Sequence, residues 1–338
     1  MRAIGYKTPL PITDPDSLID IDLPRPSPGP RDLLVEIKAV SVNPVDTKVR
    51  RSVRPEGNEW KVLGWDAAGI VLETGSDVTL FKPGDEVFYA GALTRPGSNS
   101  EFHLVDERIV GPKPRSLSWP EAAALPLTAI TAWETLFDRL DVKGRAVPGA
   151  PPAILVIGGA GGVGSITIQL ARKLTELTVI ATASRPETQS WVRELGAHHV
   201  VDHSKPLAEQ VAALGIGAPA FVFSTTNTDQ HLSQVVELIA PQGRFALIDD
   251  PPSLDINPFK RKSVSTHWEL MFTRPLFGTP DIAEQGRLLG EVSRLVDDGT
   301  IRTTLAENYG PIRAENLKRA HALIESGKAR GKVTLEGF

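Results

Sequence analysis

A glycine-rich loop constrains the fold of this chain more than any other feature. Five glycines fall within residues 158–164, directly after the apolar run AILVI at residues 153–157. Gly159, Gly161 and Gly164 have the G-x-G-x-x-G spacing. In that pattern the first glycine allows a tight turn, the second lets the backbone approach a pyrophosphate, and the third lets a helix pack closely on a strand. The loop therefore predicts a dinucleotide-binding β-α-β unit. The predicted cofactor contacts are Gly159, Gly161, Gly162, Val163 and Gly164.

The sequence around this loop indicates an α/β fold with two domains. From residue 153 short apolar strands alternate with amphipathic helices, which is typical of a doubly wound parallel sheet of the Rossmann kind. The N-terminal part instead contains short alternating runs separated by Gly, Pro and Asp, which predicts a β-rich domain. Because the last strands return to that domain, we predict that residues 1–126 and 274–338 enclose a nucleotide-binding domain at 127–273.

The end of the second strand in the nucleotide-binding domain bears on which dinucleotide is bound. An enzyme that uses NAD usually has a carboxylate there for the ribose 2′-OH. This chain has Ala183, Ser184 and Arg185, with its first acid at Glu187. A hydroxyl and a guanidinium suit a 2′-phosphate, so the sequence favours NADPH. The alternative is that Arg185 is a solvated loop charge.

Three histidines and one acid lie close together in the segment HHVVDH. Strand geometry places His199 and His203 on one face and His198 and Asp202 on the other, which disfavours a shared metal ion. We therefore predict no metal site in this segment.

Composition excludes several classes of function. The chain has 338 residues, a net charge of −4 and no cysteine. A mildly acidic chain gives no reason to expect nucleic acid as a partner, and the absence of a long apolar run predicts no membrane span. Without cysteine there is no disulfide and no thiolate metal site. We expect a cytoplasmic protein with a small-molecule substrate.

Motifs along nearly the whole chain resemble those of the medium-chain dehydrogenase/reductase superfamily, and within it the quinone oxidoreductase (zeta-crystallin-like) branch. They are AVSVNPVDTKVR, LGWDAAGIVLETG, FKPGDEVF, AAALPLTAITAWETL, VIGGAGGVGSITIQLAR, LGAHHVVDH and GKVTL, in the family's order. The resemblance implies a GroES-like β-rich domain, a Rossmann domain and a homodimer.

The resemblance also bears on metal. Zinc-dependent members have a cysteine where this chain has Asn43, and a His-Glu pair where it has Trp65 and Asp66. These residues do not make an ordinary tetrahedral zinc site. Without a Lewis acid, alcohol oxidation is disfavoured, and the zinc-free branch reduces quinones and activated enones instead. We therefore predict no metal and a quinone or enone substrate.

The same resemblance suggests roles for individual residues. Asn43 would donate its amide to a substrate carbonyl, although Asn43-Pro44 could simply form a turn. Asp46 would orient Asn43 or its loop, and Thr128 would lie beside the nicotinamide. His203 would lie near the adenosine phosphate, or be a plain surface histidine.

One segment departs from the family. After NPVDT the quinone reductases carry tyrosines, whereas this chain has Lys48, Arg50, Arg51 and Arg54. These charges either form a solvated face or indicate an anionic substrate. Two alternatives to an NADPH-dependent quinone or enone reductase stay open. One is an alcohol dehydrogenase with an atypical metal site, and the other is a non-catalytic NADPH-binding protein like the crystallins.

Overall fold

The chain forms two units, one of residues Met1–Ile130 and Phe272–Phe338 and the other of Thr131–Met271. This computed structural model describes residues 1–57 and 59–338. The sequence predicted domain boundaries at 126/127 and 273/274, and the boundaries between the two units lie at 130/131 and 271/272 in the structure. The second unit is therefore an insertion in the first.

The strands of the two units follow one another along the chain. They are β1 (Arg2–Tyr6), β2 (Ile19–Asp22), β3 (Asp32–Val42), β4 (Lys61–Val62), β5 (Ala67–Thr74), β6 (Glu86–Tyr89), β7 (Phe102–Asp106), β8 (Val110–Pro112), β9 (Ala153–Ile157), β10 (Thr178–Thr182), β11 (His199–Val201), β12 (Phe221–Ser224), β13 (Arg244–Leu247), β14 (Ser265–Trp268), β15 (Leu305–Asn308) and β16 (Lys332–Glu336).

The helices follow in the same order. They are α1 (Pro44–Ser52), α2 (Trp119–Ala123), α3 (Pro126–Trp133), α4 (Gly162–Leu174), α5 (Pro186–Glu194), α6 (Leu207–Ala213), α7 (Thr228–Leu238), α8 (Thr273–Phe277), α9 (Glu284–Asp297) and α10 (Ala314–Glu325). Short 3₁₀ turns occupy Pro15–Ser17, Glu107–Ile109 and Asn257–Lys262, and Glu134–Arg139 is a π-helix. Within the described residues, no helix combines the length and the apolar content that crossing a membrane requires.

The second unit contains a six-stranded sheet in the order β11-β10-β9-β12-β13-β14. Every pair of neighbours in it is parallel. Strands of such a sheet are covered by helices on both faces, so they are apolar throughout. Every residue of β9 and β12 is buried accordingly. The order is that of the Rossmann fold, which confirms the predicted doubly wound domain.

The glycine loop joins β9 to α4 by a very close approach of backbone to backbone. Gly158 has φ +79°, a left-handed conformation that favours glycine. A Cβ on Gly164 would lie 2.7 Å from the Gly159 Cα, so α4 could not approach the loop with a larger residue there. A Cβ on Gly161 would meet only the Gly158 carbonyl oxygen, at 3.4 Å.

The first unit contains a largely antiparallel sheet in the order β15-β16-β3-β5-β6-β8, with β7 also paired to β3. The pairing of β15 with β16 is parallel, and the other ladders are antiparallel. A smaller sheet has the order β2-β1-β4. The sheets confirm the predicted β-rich domain, and β3, the longest strand, has both β16 and β5 as neighbours.

The basic segment after Asn43 is largely helical. It forms α1, which starts with Pro44 at a position where proline is favoured. Lys48, Arg51 and Arg54 are exposed, but Arg50 is fully buried and bonds to Glu325 and to the Leu10 carbonyl oxygen. Arg50 is therefore part of the core of the first unit, and neither of the two interpretations of this segment applies to it.

Two segments are less regular than a single element would be. The segment after residue 118 forms α2 and α3 and then continues as the π-helix, because Pro126 cannot continue the hydrogen bonding of α2. The strand predicted at HHVVDH covers only His199–Val201. His198 and His203 therefore lie outside the strand.

The close approach at the glycine loop makes a matched pair of substitutions informative. In Gly164→Ala the new methyl group meets the backbone of the loop, so we expect the free energy of unfolding to fall by about 2 kcal/mol. Gly161→Ala has room for its methyl group and should change that free energy by less than about 1 kcal/mol. Calorimetric unfolding of the full chain measures both. Equal losses in the two variants would contradict the packing argument.

His321 provides a second test. It is fully buried on α10, and neither ring nitrogen has a hydrogen-bond partner among the described residues. Burial, assisted by the nearby Arg50 charge, lowers its pKa to about 3. Since the unfolded chain binds a proton below about pH 6.5 and the folded chain does not, this histidine destabilises the fold as the pH falls. The substitution His321→Leu removes this effect. Relative to the wild-type protein, it should therefore raise the free energy of unfolding by about 2 kcal/mol more at pH 5 than at pH 8. Urea titrations at several pH values measure the free energy of unfolding of both proteins. If that free energy changes with pH by the same amount in the variant and in the wild-type protein, the prediction is contradicted.

Candidate active site

Three polar side chains meet at the ends of three neighbouring strands. Asn43 directly follows β3, Asp66 directly precedes β5, and Lys332 begins β16. The registers Val42↔Val333 and Val40↔Ala67 place these strand ends at the same edge of the sheet. We call Asn43, Asp66 and Lys332 the strand-end cluster.

Hydrogen bonds connect every member of the strand-end cluster to the others. The Asn43 amide nitrogen donates to Asp66 Oδ2 at 2.8 Å, and Lys332 Nζ donates to the same oxygen at 3.0 Å. Lys332 Nζ also donates to Asn43 Oδ1 and to the Val42 carbonyl oxygen. The other carboxylate oxygen of Asp66 accepts the Leu127 backbone N–H, in the first turn of α3, at 2.7 Å. No member is more than 3% exposed. The cluster is thus a buried ion pair whose polar atoms are matched.

These contacts fix the orientation of the Asn43 amide. An ammonium can only donate and a carboxylate can only accept, so Oδ1 must face Lys332 and Nδ2 must face Asp66. The backbone carbonyl oxygen of Ser41 lies 3.5 Å from the same Nδ2. Both ends of the amide are thus engaged within the protein. The role of Asn43 as a donor to a substrate carbonyl stays a prediction.

Asp46 lies beside this cluster, in the first turn of α1. Its Oδ2 accepts the Asn43 backbone N–H at 2.8 Å, which holds Asn43 at the start of the helix. Its Oδ1 is buried with no hydrogen-bond partner among the described residues. Burial raises the pKa of Asp46 to about 7, against the opposing effects of the Asn43 N–H and the Lys332 charge. The bond from the Asn43 N–H agrees with the predicted role of Asp46 in orienting Asn43 or its loop, and that role stays a prediction.

Thr128 is the third residue for which the sequence suggested a catalytic role. It is buried on α3, and its hydroxyl donates to the Leu125 carbonyl oxygen at 3.1 Å. Bonding of a threonine to the backbone of its own helix is a common structural use of this side chain. The predicted contact of Thr128 with the nicotinamide is not shown by these contacts and stays a prediction.

The residues at the zinc-ligand positions do not fit a zinc ion. Asn43 and Asp66 present one amide oxygen and one carboxylate, and both already bind the Lys332 ammonium. Trp65 is buried, and its indole N–H donates to the Ala92 carbonyl oxygen at 3.2 Å. Nowhere in residues 1–57 and 59–338 do three or more His, Cys, Asp or Glu side chains form a group able to hold a metal ion. Tetrahedral zinc sites use three or four such ligands.

The histidine segment does not assemble into a metal site either. His198 Nδ1 accepts the Val179 backbone N–H at 2.9 Å, so that nitrogen serves the backbone of the sheet. His203 lies in the turn after β11 with its ring 6.4 Å from that of His231. The prediction that no metal binds here is consistent with these positions.

In the second unit, the glycine loop and the first turn of α4 form a cradle of backbone groups. The Gly158 N–H donates to the Thr182 hydroxyl at 3.0 Å, and the helix starts at Gly162 after Gly161. The N–H groups in the first turn of any helix lack partners within that helix, and they attract anions. The first turn of α4, which contains Gly162, Val163 and Gly164, therefore favours anions, whereas the Gly161 N–H already donates to the Gly158 carbonyl oxygen at 3.0 Å. The contacts of Gly159, Gly161, Gly162, Val163 and Gly164 with the cofactor stay a prediction.

Ser184, Arg185 and His203 lie at the carboxyl ends of adjacent strands, β10 and β11. Arg185 and His203 are close enough that the arginine charge, after the larger effect of burial, lowers the histidine pKa. Arg185 is 41% exposed in its side chain and pairs with Glu187 at 3.3 Å. The structure thus brings together the three residues that the sequence assigned to the adenosine end of the cofactor. It adds Glu187 as a partner of Arg185.

Sequence reasoning missed Lys332 and the Leu127 N–H. Lys332 is the lysine of the GKVTL motif, which served only to support the resemblance. Its buried position depends on the pairing of β16 with β3, between residues 290 positions apart in sequence. The sequence did carry one indication of a buried role for Lys332, because this lysine stands at the start of an apolar strand close to the C-terminus.

Comparisons with known proteins agree with this architecture. Residues 195–335 match the zinc-binding dehydrogenase family, and residues 29–115 match the alcohol dehydrogenase GroES-like domain. A zinc-type alcohol dehydrogenase-like protein of Staphylococcus aureus (strain MSSA476) is 38% identical over 99% of both chains. A protein of Rhizobium etli CFN 42, provisionally assigned to the zinc-dependent alcohol dehydrogenases, is 70% identical and covers 100% of this chain and 98% of its own, with a TM-score of 0.98.

A quinone oxidoreductase of Pseudomonas syringae pv. tomato DC3000 is 25% identical over 99% of both chains, with a TM-score of 0.83. The match at full length, the two domain families and the Rossmann order of the second sheet agree with one another. The chain belongs to the medium-chain dehydrogenase/reductase superfamily and is an oxidoreductase of that family with a nicotinamide cofactor.

Proposed function

We propose that this protein transfers hydride from NADPH to a quinone or an activated enone, without a zinc ion. The observation that carries the proposal is the strand-end cluster. The amide of Asn43 and the carboxylate of Asp66 bind each other and an ammonium, not a Lewis acid. Acceptors that take hydride readily suit such a site better than alcohols, whose oxidation benefits from a metal that stabilises the alkoxide.

The bound cofactor would supply the hydride, and the protein would supply position and electrostatics. The residues from Gly161 to Gly164 would hold the diphosphate against the start of α4. Ser184 and Arg185 would contact the 2′-phosphate, and His203 would add a polar group at the same end. A guanidinium binds a phosphate by paired charge-assisted hydrogen bonds, which supports NADPH over NADH.

An alcohol dehydrogenase with an atypical metal site is the second candidate. The names of the Staphylococcus and Rhizobium relatives favour it. The side chains at positions 43, 65 and 66 oppose it, since none is a cysteine or a histidine and Trp65 is bonded to a backbone carbonyl. A third candidate, a non-catalytic NADPH-binding protein, would bind the same cofactor and differ only in turnover.

The edge of the second unit's sheet supports the predicted homodimer. Strand β14 is the last strand of that sheet, so one side of its backbone remains available for pairing. Trp268 and Leu270, on and just after this strand, are 55% and 49% exposed. The homodimer stays a prediction, and sedimentation equilibrium tests it. The cytoplasmic location also stays a prediction, and imaging of the tagged protein tests it.

The reaction is tested with a panel of quinones, enals, enones and primary alcohols, with NADPH and NADH compared by absorbance at the nicotinamide band. We expect NADPH consumption with quinones or enones and no NADP⁺ reduction with alcohols, in the presence or absence of added zinc. Tight NADPH binding without turnover would favour the non-catalytic alternative. Alcohol oxidation that requires zinc would contradict the proposal.

The cofactor preference is tested with Arg185→Ala. Loss of one charge-assisted contact with the 2′-phosphate should raise the KM for NADPH about tenfold and leave the KM for NADH nearly unchanged. Arg193→Ala is the matched control, because Arg193 is an exposed arginine on α5, the helix that Arg185 directly precedes. An equal rise for both cofactors, or no rise for NADPH, would remove Arg185 from the binding site.

A further inference from the structure

We infer that the Lys332 ammonium is the resident cation of the strand-end cluster and supplies the positive charge that a metal ion supplies in zinc-dependent members of the family. The two side chains that it binds, Asn43 and Asp66, stand at positions where those members have a zinc ligand and the acid of the His-Glu pair. The inference concerns this buried site alone and does not depend on the substrate proposed above.

The contacts of Lys332 show that its charge is used within the protein. Nζ donates to Asn43 Oδ1, to Asp66 Oδ2 at 3.0 Å and to the Val42 carbonyl oxygen at 3.1 Å. An ammonium has three protons, so these three acceptors use its full donor capacity. Lys332 is only 3% exposed, and a lysine so deeply buried is normally paired.

The charge balance explains why the site needs an internal cation. Asp46 is buried beside the cluster, and the Asp66 charge adds to the effect of burial in raising the energy of charging Asp46. Among the described contacts of the Asp66 and Asp46 carboxylates, Lys332 is the only cationic side chain. Burial raises the pKa of Asp66, and the Lys332 charge opposes that shift. Lys332 therefore favours the ionised form of Asp66, and through it the fixed orientation of the Asn43 amide.

The same arrangement excludes a divalent metal ion. A cation placed between Asn43 Oδ1 and Asp66 Oδ2 would lie against the Lys332 ammonium, which already binds both oxygens. Repulsion between two positive charges at such short distances in a buried site is large. Lys332 is thus a positioning residue, and it makes the site independent of metal.

Thermal unfolding and metal analysis of the full-length protein test the inference. Lys332→Met should lower the Tm by about 10 °C, because it leaves the Asp66 charge buried without its partner. Asp66→Asn should also lower the Tm, since it leaves Lys332 unpaired. The double variant, which has neither charge, should recover most of the loss. Lys82→Met, at an exposed site in the same unit, is the control and should leave the Tm unchanged.

The possible outcomes separate charge from packing. If the losses of the two single variants add up in the double variant, Lys332 acts through the bulk of its side chain and the inference is wrong. If Lys332→Met does not fold, the double variant is still expected to fold, and an insoluble double variant contradicts the inference. Wild-type protein should contain no stoichiometric zinc by mass spectrometry and keep its Tm in EDTA. About one zinc ion per chain, whose removal lowers the Tm, would also overturn it.

These measurements use no substrate or cofactor. A negative result in the quinone and enone panel would therefore leave the role of Lys332 intact. Conversely, a failed charge cycle would leave the expected cofactor unchanged, whereas stoichiometric zinc in the wild-type protein would also count against the zinc-free reaction proposed above.

Discussion

Burial of a carboxylate at the junction of three strands is the constraint on which the first unit depends. Asp66 is fully buried, and an isolated charge there would cost several kcal/mol. The fold offsets that cost with the Lys332 ammonium, the Asn43 amide and a backbone N–H of α3. Because these donors come from separate strands and a helix, the same contacts also connect β3, β5, β16 and α3. The chemistry and the architecture of this unit therefore rest on one set of hydrogen bonds.

Much of the fold could be predicted because its determinants are local. Strand β9 is apolar on both faces, which is typical of a parallel sheet covered on two sides, and the glycine-rich loop follows it directly in the sequence. At Gly164 the predicted steric need is met in the structure, since a side chain there would collide with the loop backbone, whereas Gly161 has room for a methyl group. The α/β class and the Rossmann sheet thus followed from short stretches of sequence. The GroES-like unit needed the family resemblance as well.

The candidate active site was only partly predictable, because its contacts are long-range. Asn43 and Asp46 lie in one short motif, and the sequence suggested that the acid orients the amide; the bond from the Asn43 N–H to Asp46 is consistent with that role. Lys332 lies 266 residues from Asp66, and its place depends on which strand pairs with β3. Neither periodicity nor spacing indicates such a pairing. The burial of Arg50 was unpredictable for the same reason, since its partner Glu325 is on α10, in a distant part of the chain.

Membership of a family named for zinc does not settle whether this chain uses the metal. The fold positions three strand ends, and the side chains at those ends decide which cation they accept. Thiolates and imidazoles at this junction would bind zinc, whereas an amide and a carboxylate in contact with a lysine already hold a cation of their own. A lysine ammonium cannot accept an electron pair from an alkoxide, so it orients neighbouring groups without providing Lewis acidity. On the function proposed above, replacing one kind of cation by the other therefore changes the chemistry of this junction, from activation of an alcohol towards reduction of a substrate that is already electrophilic.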